Sequence, residues 1–364
     1  MHFTSIFFTS LSSKVYHKGN IILNLGELYF YKLIGGNILT LTLDLIKNLG
    51  INLDLAVEAH SLLRGDANAE IQGVIEKVDK FANGTITKIQ ILDENGAKQM
   101  GKQPGNYLTI DSNGLRENNP EVHQEIADVF GRELEGLLKN IGIGENDPVL
   151  IIGLGNWDAT PDALGPKVAS KVLVTRHLHK YTPQNVQGGL RPVSALSPGV
   201  LGITGIETAE IVKGVVEKVQ PALVIAVDAL AAMNLNRITS TIQIADTGIN
   251  PGSGIGNQRM AITKDSLGVP VIAIGIPTVV HAAVVVSSSL YYLENNQPIQ
   301  KTLLNDTIIQ DAIQSVLEPF HGNLTVTPKE IDELIETTAK IIASGLNQAL
   351  HLAIGPEEGN IYYH

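Results

Sequence analysis

The sequence predicts an α/β protein: an open, mainly parallel sheet with helices on both faces, plus smaller added β and helical segments. Three segments carry this prediction, at 149–155, 222–228 and 269–275, and each is apolar throughout. Continuous apolar runs are expected for strands that are covered on both faces of a parallel sheet. Segments with helical spacing separate them, notably at 205–220, and this alternation is typical of an open α/β sheet.

The region before the first apolar strand predicts short strands and one long helix. Residues 69–99 hold short alternating runs, interrupted by Asn-Gly at 83–84 and again at 95–96. Asn-Gly favours the tight turns of β-hairpins, so strands joined by turns are predicted here. Residues 120–142 carry apolar side chains at helical spacing and end in glycine, which predicts an amphipathic helix.

The chain is predicted to form a single α/β domain over residues 51–364 behind an extension at 1–50. The extension contains charges and paired glycines within its apolar runs, a pattern that argues against a membrane span. It also lacks the cationic n-region and the cleavage site of a signal peptide. We expect it to be disordered, either as a pro-segment or as the product of a misplaced translation start. Within the domain, polar residues at 295–321 predict an irregular connection, and a helix capped by Thr327 is predicted to run to His351.

The composition limits the classes of function. The formal net charge is −11, from 26 Lys and Arg against 37 Asp and Glu, and so acidic a surface repels phosphate backbones. Direct nucleic-acid binding is therefore not expected, and neither is a membrane partner. The chain has no cysteine, which excludes disulfides, thiolate nucleophiles and cysteine-bound zinc and fits a cytoplasmic type of compartment. No cofactor is predicted.

The loop after the first apolar strand, GLGNWDATPDALGP at 153–166, begins like a nucleotide-binding loop. A dinucleotide site requires a third glycine where Asp158 stands, and an acidic residue about twenty positions later, which is missing. Asp158 and Asp162 would also place negative charge where a pyrophosphate lies. The loop is therefore predicted to present a carboxylate rather than to bind phosphate.

Two aspartates lie at the carboxyl ends of predicted strands. Asp162 follows the strand at 149–155, and Asp228 ends the strand at 222–228. Ligands of open α/β sheets bind at this edge, so both side chains are able to reach one crevice. A close carboxylate pair shares a proton, and can activate a water with one member and protonate a leaving group with the other. The structural alternative is that Asp162 caps the next helix and Asp228 binds a loop.

Histidines offer a competing arrangement. His177 and His179 would share a face if they lay on a strand, and His281 follows the third apolar strand closely. Asp162, Asp228 and His281 together would make a metal site of oxygen and nitrogen ligands. Surface or supporting positions are the ordinary alternative for such histidines.

Several long motifs resemble the germination protease family of spore-forming bacteria, among them GNYLTID, GLGNWDATPDALGPKV, RPVSALSPGVLGITGIET and VIAVDALAAMNLNRITSTIQIADTGINPGSG. The resemblance implies an atypical aspartic endopeptidase that degrades small acid-soluble spore proteins during germination. It also implies an inactive zymogen, a homotetramer and a location in the forespore or spore core. The family's two catalytic aspartates fall on Asp162 and Asp228. Its fold is related to that of the hydrogenase-maturation peptidases, which bind nickel, so a metal-dependent endopeptidase stays an alternative, as does a non-catalytic binding protein.

Supporting residues and a processing site are also predicted. Gly153, Gly155 and Asn156 are predicted to shape the loop beneath Asp162. The family cleaves after an acidic residue that is followed by an apolar residue and alanine, so Asp54–Leu55 is predicted to be the autoprocessing bond.

Three positions depart from the family pattern. Met233 stands where arginine is common, Asn250 where histidine is common, and His281 where aspartate is common.

Overall fold

The computed structural model describes residues 53–64, 70–183, 190–250, 260–296 and 306–351. The predicted extension at 1–50 lies outside these ranges. The described strands are β1 Val74–Phe81, β2 Gly84–Ile91, β3 Gly105–Asp111, β4 Val149–Gly153, β5 Val193–Leu196, β6 Leu223–Ala232, β7 Thr241–Ala245, β8 Val271–His281 and β9 Thr325–Val326. The described helices are α1 Ala56–Arg64, α2 Glu94–Met100, α3 Pro120–Asn140, α4 Leu164–Lys171, α5 Arg176–Tyr181, α6 Leu201–Thr204, α7 Thr208–Val219, α8 Lys264–Leu267, α9 Ala282–Asn296, α10 Asp306–Leu317 and α11 Ile331–Leu350.

The described strands form one sheet in the order β1-β2-β3-β7-β8-β6-β4-β5, with β9 paired to β8. The three apolar strands predicted from sequence are β4, β6 and β8. They pair in parallel, and β5 adds a parallel edge strand beside β4. The strands β1, β2, β3 and β7 extend the sheet through antiparallel pairs. The predicted α/β class, with a parallel centre and added β segments, is confirmed.

The two Asn-Gly pairs behave differently. Asn83 and Gly84 connect β1 to β2, as predicted. The prediction of a second turn at Asn95-Gly96 is wrong, because both residues lie in α2. Asp93 caps that helix by accepting from the Gly96 N–H at 2.9 Å. Glycine is needed at 96 for close packing, since a Cβ there would lie 2.6 Å from the carbonyl oxygen of Gly73.

Helices cover both faces of the sheet. One face packs against α3, α4 and α11 in a single large apolar cluster. The other face packs against α7 and α8 beside β4 and the first half of β6, and against α1 beside β2 and β3. The predicted long helix α3 begins at Pro120, where Asn119 accepts from the N–H groups of Glu121 and Val122 and so satisfies two of the first free donors.

The C-terminal region differs from the sequence prediction. Helix α11 begins at Ile331, and Thr327 is not its N-cap, because its hydroxyl donates to the Thr278 carbonyl oxygen at 2.8 Å. Helix α10 lies within the stretch predicted to be an irregular connection, of which 297–305 lies outside the described residues. None of the helices within the described ranges has the length and apolar character needed to cross a membrane.

Candidate active site

Strand β6 extends beyond the end of its neighbour β4. The last pair between them is Gly153 with Val227, and β6 continues to Ala232. The sequence had predicted that Asp228 is the last residue of this strand, but it lies inside the strand. Backbone groups of alternate residues point to the same side of a strand, so the N–H groups of 229, 231 and 233 face the side that β4 leaves open. We call this the free edge of β6.

Asp228 lies where the free edge begins. It is buried, with 4% of its surface exposed, and its Oδ1 accepts from the Ala229 N–H at 2.9 Å. Asp228 pairs with Gly275 on β8, which in turn pairs with Gln243 on β7. Residues that oppose each other directly share a face of a sheet, so Asp228 and Gln243 flank a position without a side chain.

Asp162 lies in a tight turn between β4 and α4. It ends a short 3-10 turn, Thr160–Asp162, and its N–H donates to the Ala159 carbonyl oxygen at 2.7 Å. Its own carbonyl oxygen accepts from the Asn156 N–H at 3.1 Å. Gly155 adopts φ +113°, and a Cβ there would lie 2.0 Å from the Asp162 carbonyl oxygen. Position 155 therefore requires glycine, because both this φ and this close approach exclude a side chain.

The turn of Asp162 is attached to β6 at the residue before Asp228. The Leu154 N–H donates to the Val227 carbonyl oxygen at 2.8 Å. At the start of α4, a Cβ on Gly165 would lie 2.2 Å from the Leu154 carbonyl oxygen and 2.4 Å from that of Val227. The Oδ1 of Asp162 is 3.1 Å from the Cβ position of Gly155. These contacts bring the Asp162 turn against the part of β6 that carries Asp228.

Gly153 and Asn156 complete the loop. A Cβ on Gly153 would lie 2.2 Å from the Gly165 carbonyl oxygen, so the strand and the helix approach as closely as backbone allows. The Asn156 side chain accepts from the Asp158 N–H at 3.0 Å. Trp157 projects from the same loop with 52% of its surface exposed.

Two carboxylates from the N-terminal segment bind the free edge of β6. The Ala231 N–H donates to Asp54 Oδ2 at 3.0 Å, and the Met233 N–H donates to both carboxylate oxygens of Glu58, at 3.1 and 3.0 Å. With Asp228 on Ala229, each of the three N–H groups of the free edge donates to a carboxylate. Met233 itself is buried, so its role here is that of a main-chain donor.

Lys102 and Gln243 hold the main chain around Asp54. Lys102 Nζ donates to the carbonyl oxygens of Leu53 and Asp54 at 2.8 and 3.0 Å. Gln243 donates to the Asp54 carbonyl oxygen at 3.1 Å and accepts from the Ala56 N–H at 2.6 Å. Burial lowers the pKa of Lys102, while the nearby Asp54 and Glu58 carboxylates oppose that shift.

Glu58 is a buried acid with an unusual titration. Burial raises its pKa from 4.5 to about 7, against the opposing effects of the Arg237 guanidinium and the Met233 N–H. The Arg237 Nε lies 3.7 Å from Glu58, and the guanidinium also binds the Asp111 carboxylate at 2.6 Å.

Sequence reasoning missed Glu58, Lys102 and Gln243. One signal was available for Gln243, because a polar side chain in the apolar run TIQIA requires a buried partner. Nothing local marks the other two, since their partners are 175 and 49 residues away along the chain.

The predicted histidines do not gather around the aspartates. His281 ends β8, six residues beyond the partner of Asp228, which at about 3.3 Å per residue is roughly 20 Å along the strand. It is buried, its Nδ1 accepts from the Ala283 N–H at 3.2 Å, and burial lowers its pKa. His177 and His179 lie on helix α5 and not on a strand. Within the described ranges, no three His, Asp or Glu side chains are placed to hold a metal ion.

A separate cavity of about 590 Å³ lies between the turn at Asn113–Arg116 and the start of α11. Arg116 lines it, and its guanidinium donates to main-chain carbonyl oxygens including that of Ile238 at 2.7 Å. Neither Asp162 nor Asp228 lines this cavity. We place the candidate site at the sheet edge because the Asp162 turn contacts β6 there, next to Asp228 and the backbone donors of its free edge.

Comparisons with known proteins give a consistent result. A family model described as germination protease matches residues 53–297 and 300–363. The chain is 44% identical over 365 residues to the germination proteases of Bacillus cereus strain AH187 and Bacillus mycoides strain KBAB4, covering 88% of this chain and 99% of each relative. It is 43% identical over 366 residues to that of Bacillus anthracis strain CDC 684, with the same coverage. Among solved structures, a NiFe hydrogenase maturation protease from Thermococcus kodakarensis is 19% identical, with a TM-score of 0.31 over 59% of this chain and 98% of that one.

Proposed function

Because the chain belongs to the germination protease family, a family of peptidases, we propose that it is an endopeptidase that cleaves small acid-soluble spore proteins during spore germination. We further propose an atypical aspartic mechanism that uses Asp162 and Asp228. The observation that supports the pair is the contact of the Asp162 turn with β6 at Val227, next to Asp228.

The proposed reaction is the addition of water to a peptide carbonyl. One aspartate, ionised, takes a proton from the water as its oxygen attacks the carbonyl carbon. The other aspartate, protonated, gives its proton to the amine nitrogen as the C–N bond breaks. Two carboxylates that lie close enough to share one proton suit this division, because such a pair holds one acid and one base. The products are a new carboxylate terminus and a new amine terminus.

The proposal includes the organisation implied by the family. The chain is made as a zymogen, assembles as a homotetramer in the spore interior and cleaves its own Asp54–Leu55 bond. In the conformation described here Leu55 is fully buried, and Asp54 and Ala56 are bound by Lys102, Gln243 and Ala231. Processing therefore requires this segment either to be cleaved where it lies or to open first.

The test is a cleavage assay on a small acid-soluble spore protein. Asp162→Asn and Asp228→Asn are each expected to lower kcat/KM by at least about 100-fold, the usual effect of losing a positioned acid or base. Asp158→Asn, an exposed carboxylate in the same loop, is the matched control and is expected to leave the rate within twofold. Full activity in either of the first two variants would refute the pair.

Two further outcomes separate the alternatives. Inhibition by a strong chelator, with rescue by a metal ion, would favour a metal-dependent endopeptidase that uses the two aspartates and a histidine. Binding of the spore protein without any cleavage by the unmodified chain would favour a non-catalytic binding protein.

A further inference from the structure

A short segment of the chain occupies the free edge of β6. Four hydrogen bonds hold Leu53 and Asp54: two from Lys102 to main-chain carbonyl oxygens, one from Gln243 to the Asp54 carbonyl oxygen, and one from the Ala231 N–H to the Asp54 carboxylate. In all four the segment supplies the acceptor, and the core of the protein supplies the donor. A surface that presents an ammonium, an amide and a strand N–H is suited to an acidic peptide.

This donor surface lies beside the proposed catalytic aspartate. Gln243 and Asp228 both pair with Gly275, so their Cα atoms are two strand spacings, or about 10 Å, apart on one face of the sheet. Ala231 follows Asp228 by three residues on the same strand. A peptide bound in this way presents the carbonyl of its acidic residue close to Asp228.

We propose that Lys102, Gln243 and the free edge of β6 form the binding site for the acidic residue of a substrate peptide, and that Asp54 fills this site in the full-length chain. The inference rests on the proposed function, because it takes the ligand to be a peptide that awaits cleavage. The ligand is an extended peptide whose aspartate or glutamate carboxylate meets the Ala231 N–H. The main-chain carbonyl oxygens of that acidic residue and of the residue before it accept from Lys102.

Attachment explains why the chain's own segment holds the site. A covalently linked occupant has a high effective concentration, which free peptides in solution do not match. Cleavage of Asp54–Leu55 removes that advantage, since Leu53 and Asp54 carry the acceptors of all four hydrogen bonds. Lys102 would then be a half-buried cation without its carbonyl partners, an arrangement that favours a new acidic ligand.

The two neighbouring acids each have a partner of their own. Glu58 is paired with Arg237, and burial raises its pKa to about 7, so it carries only part of a negative charge near neutral pH. Asp228 has the Ala229 N–H as a partner.

The test uses a peptide that cannot be cleaved. Acetyl-Ile-Asn-Leu-Asp-amide reproduces residues 51–54, ends before the scissile bond and retains every acceptor in the four hydrogen bonds. Its binding is measured by calorimetry to the full chain and to the full chain with Asp54→Lys, which places a cation beside Lys102 and so expels the segment. We expect the Asp54→Lys chain, which we call the expelled chain, to bind the peptide at least about tenfold more tightly than the unmodified chain does.

Two comparisons test the residues of the site. The peptide with Asp54→Asn is expected to bind the expelled chain about tenfold more weakly, because a charge-assisted hydrogen bond is lost. Adding Lys102→Met to the expelled chain is expected to weaken the acidic peptide by about the same factor. Lys98→Met, an exposed lysine on helix α2, which ends shortly before Lys102, is the control and should change binding less than twofold.

Several results would overturn the proposal: equal binding of the acidic and amide peptides, an unchanged affinity with Lys102→Met, or no binding to the expelled chain. If Lys102→Met fails to fold, Lys102→Gln keeps a donor for the carbonyl oxygens but loses the charge. It should bind the acidic peptide more weakly than the expelled chain does, while the Ala231 N–H retains the preference for the acidic peptide. No step of this assay depends on catalysis. A chain that binds as expected but cleaves nothing refutes the proposed function alone, and one that cleaves without this preference refutes the binding site alone.

Discussion

Replacing Gly165 by alanine tests whether the contact between α4 and β6 positions the proposed aspartates. The new Cβ would lie 2.2 Å from the Leu154 carbonyl oxygen and 2.4 Å from the Val227 carbonyl oxygen, whereas real Cβ atoms stay at least 3.0 Å away. The helix and the strand must therefore separate by about 1 Å. Overpacking of this kind costs about 1–3 kcal/mol of unfolding free energy, and a shift of about 1 Å near reacting groups lowers rates by about 100-fold.

The assay combines kinetics with stability. The kcat/KM for a small acid-soluble spore protein is measured well below the unfolding transition, and the unfolding free energy is measured in urea. Gly136→Ala is the matched control, since its Cβ meets nothing within 4 Å, and alanine in an exposed helix position adds about 0.5–1 kcal/mol of stability. If Gly165→Ala keeps its rate within twofold, the close contact does not position the site, and the reasoning is refuted.

Three further predictions follow from other parts of the molecule. Because the folded-state pKa of Glu58 is raised from 4.5 to about 7, its contribution to stability is present below pH 4.5 and is lost as pH rises through about 7. That change amounts to roughly 3 kcal/mol of unfolding free energy. The unfolding free energy of Glu58→Gln, measured in urea at pH 5 and 7.5, should lack this pH dependence, and a variant that keeps the pH dependence of the unmodified chain would contradict the prediction. Arg191→Met leaves three main-chain carbonyl oxygens without their guanidinium donor, so we expect a loss of at least about 2 kcal/mol in unfolding free energy, and a loss below half of that would be contrary evidence. Trp157, the single tryptophan, is half-exposed in the loop that leads to Asp162, so its emission should shift to the blue when the Asp228→Asn chain binds spore protein, and an unchanged spectrum at saturation would place the substrate elsewhere.

Much of the architecture was predictable because it depends on local patterns. Apolar runs marked β4, β6 and β8, and the Asn83-Gly84 turn marked the first hairpin. Where two local signals competed, the prediction failed. At Asn95-Gly96, the Asp93 cap and the close approach of Gly73 favour a helix over a turn.

The candidate site was likewise predicted only in part. Sequence patterns placed Asp162 after one apolar strand and Asp228 at the end of another, which is a property of each strand and its loop. They did not reveal that β6 continues past β4. Where two paired strands end relative to each other depends on the register of the folded sheet. His281 looked adjacent in sequence to the third core strand, and the extension of that strand carries it away from the aspartates.

The amino-acid sequence alone was sufficient for the α/β class, the three central apolar strands, the first hairpin and the resemblance to a peptidase family, since periodicity and motifs are read within short windows. The arrangement of Asp54, Glu58, Lys102 and Gln243 around the free edge of β6 required the tertiary structure. Their partners lie between 48 and 189 residues away, and their hydrogen bonds form only because the sheet leaves one strand edge open. A buried donor that has no strand partner must find another acceptor, and the folded chain alone determines which acceptor is within reach.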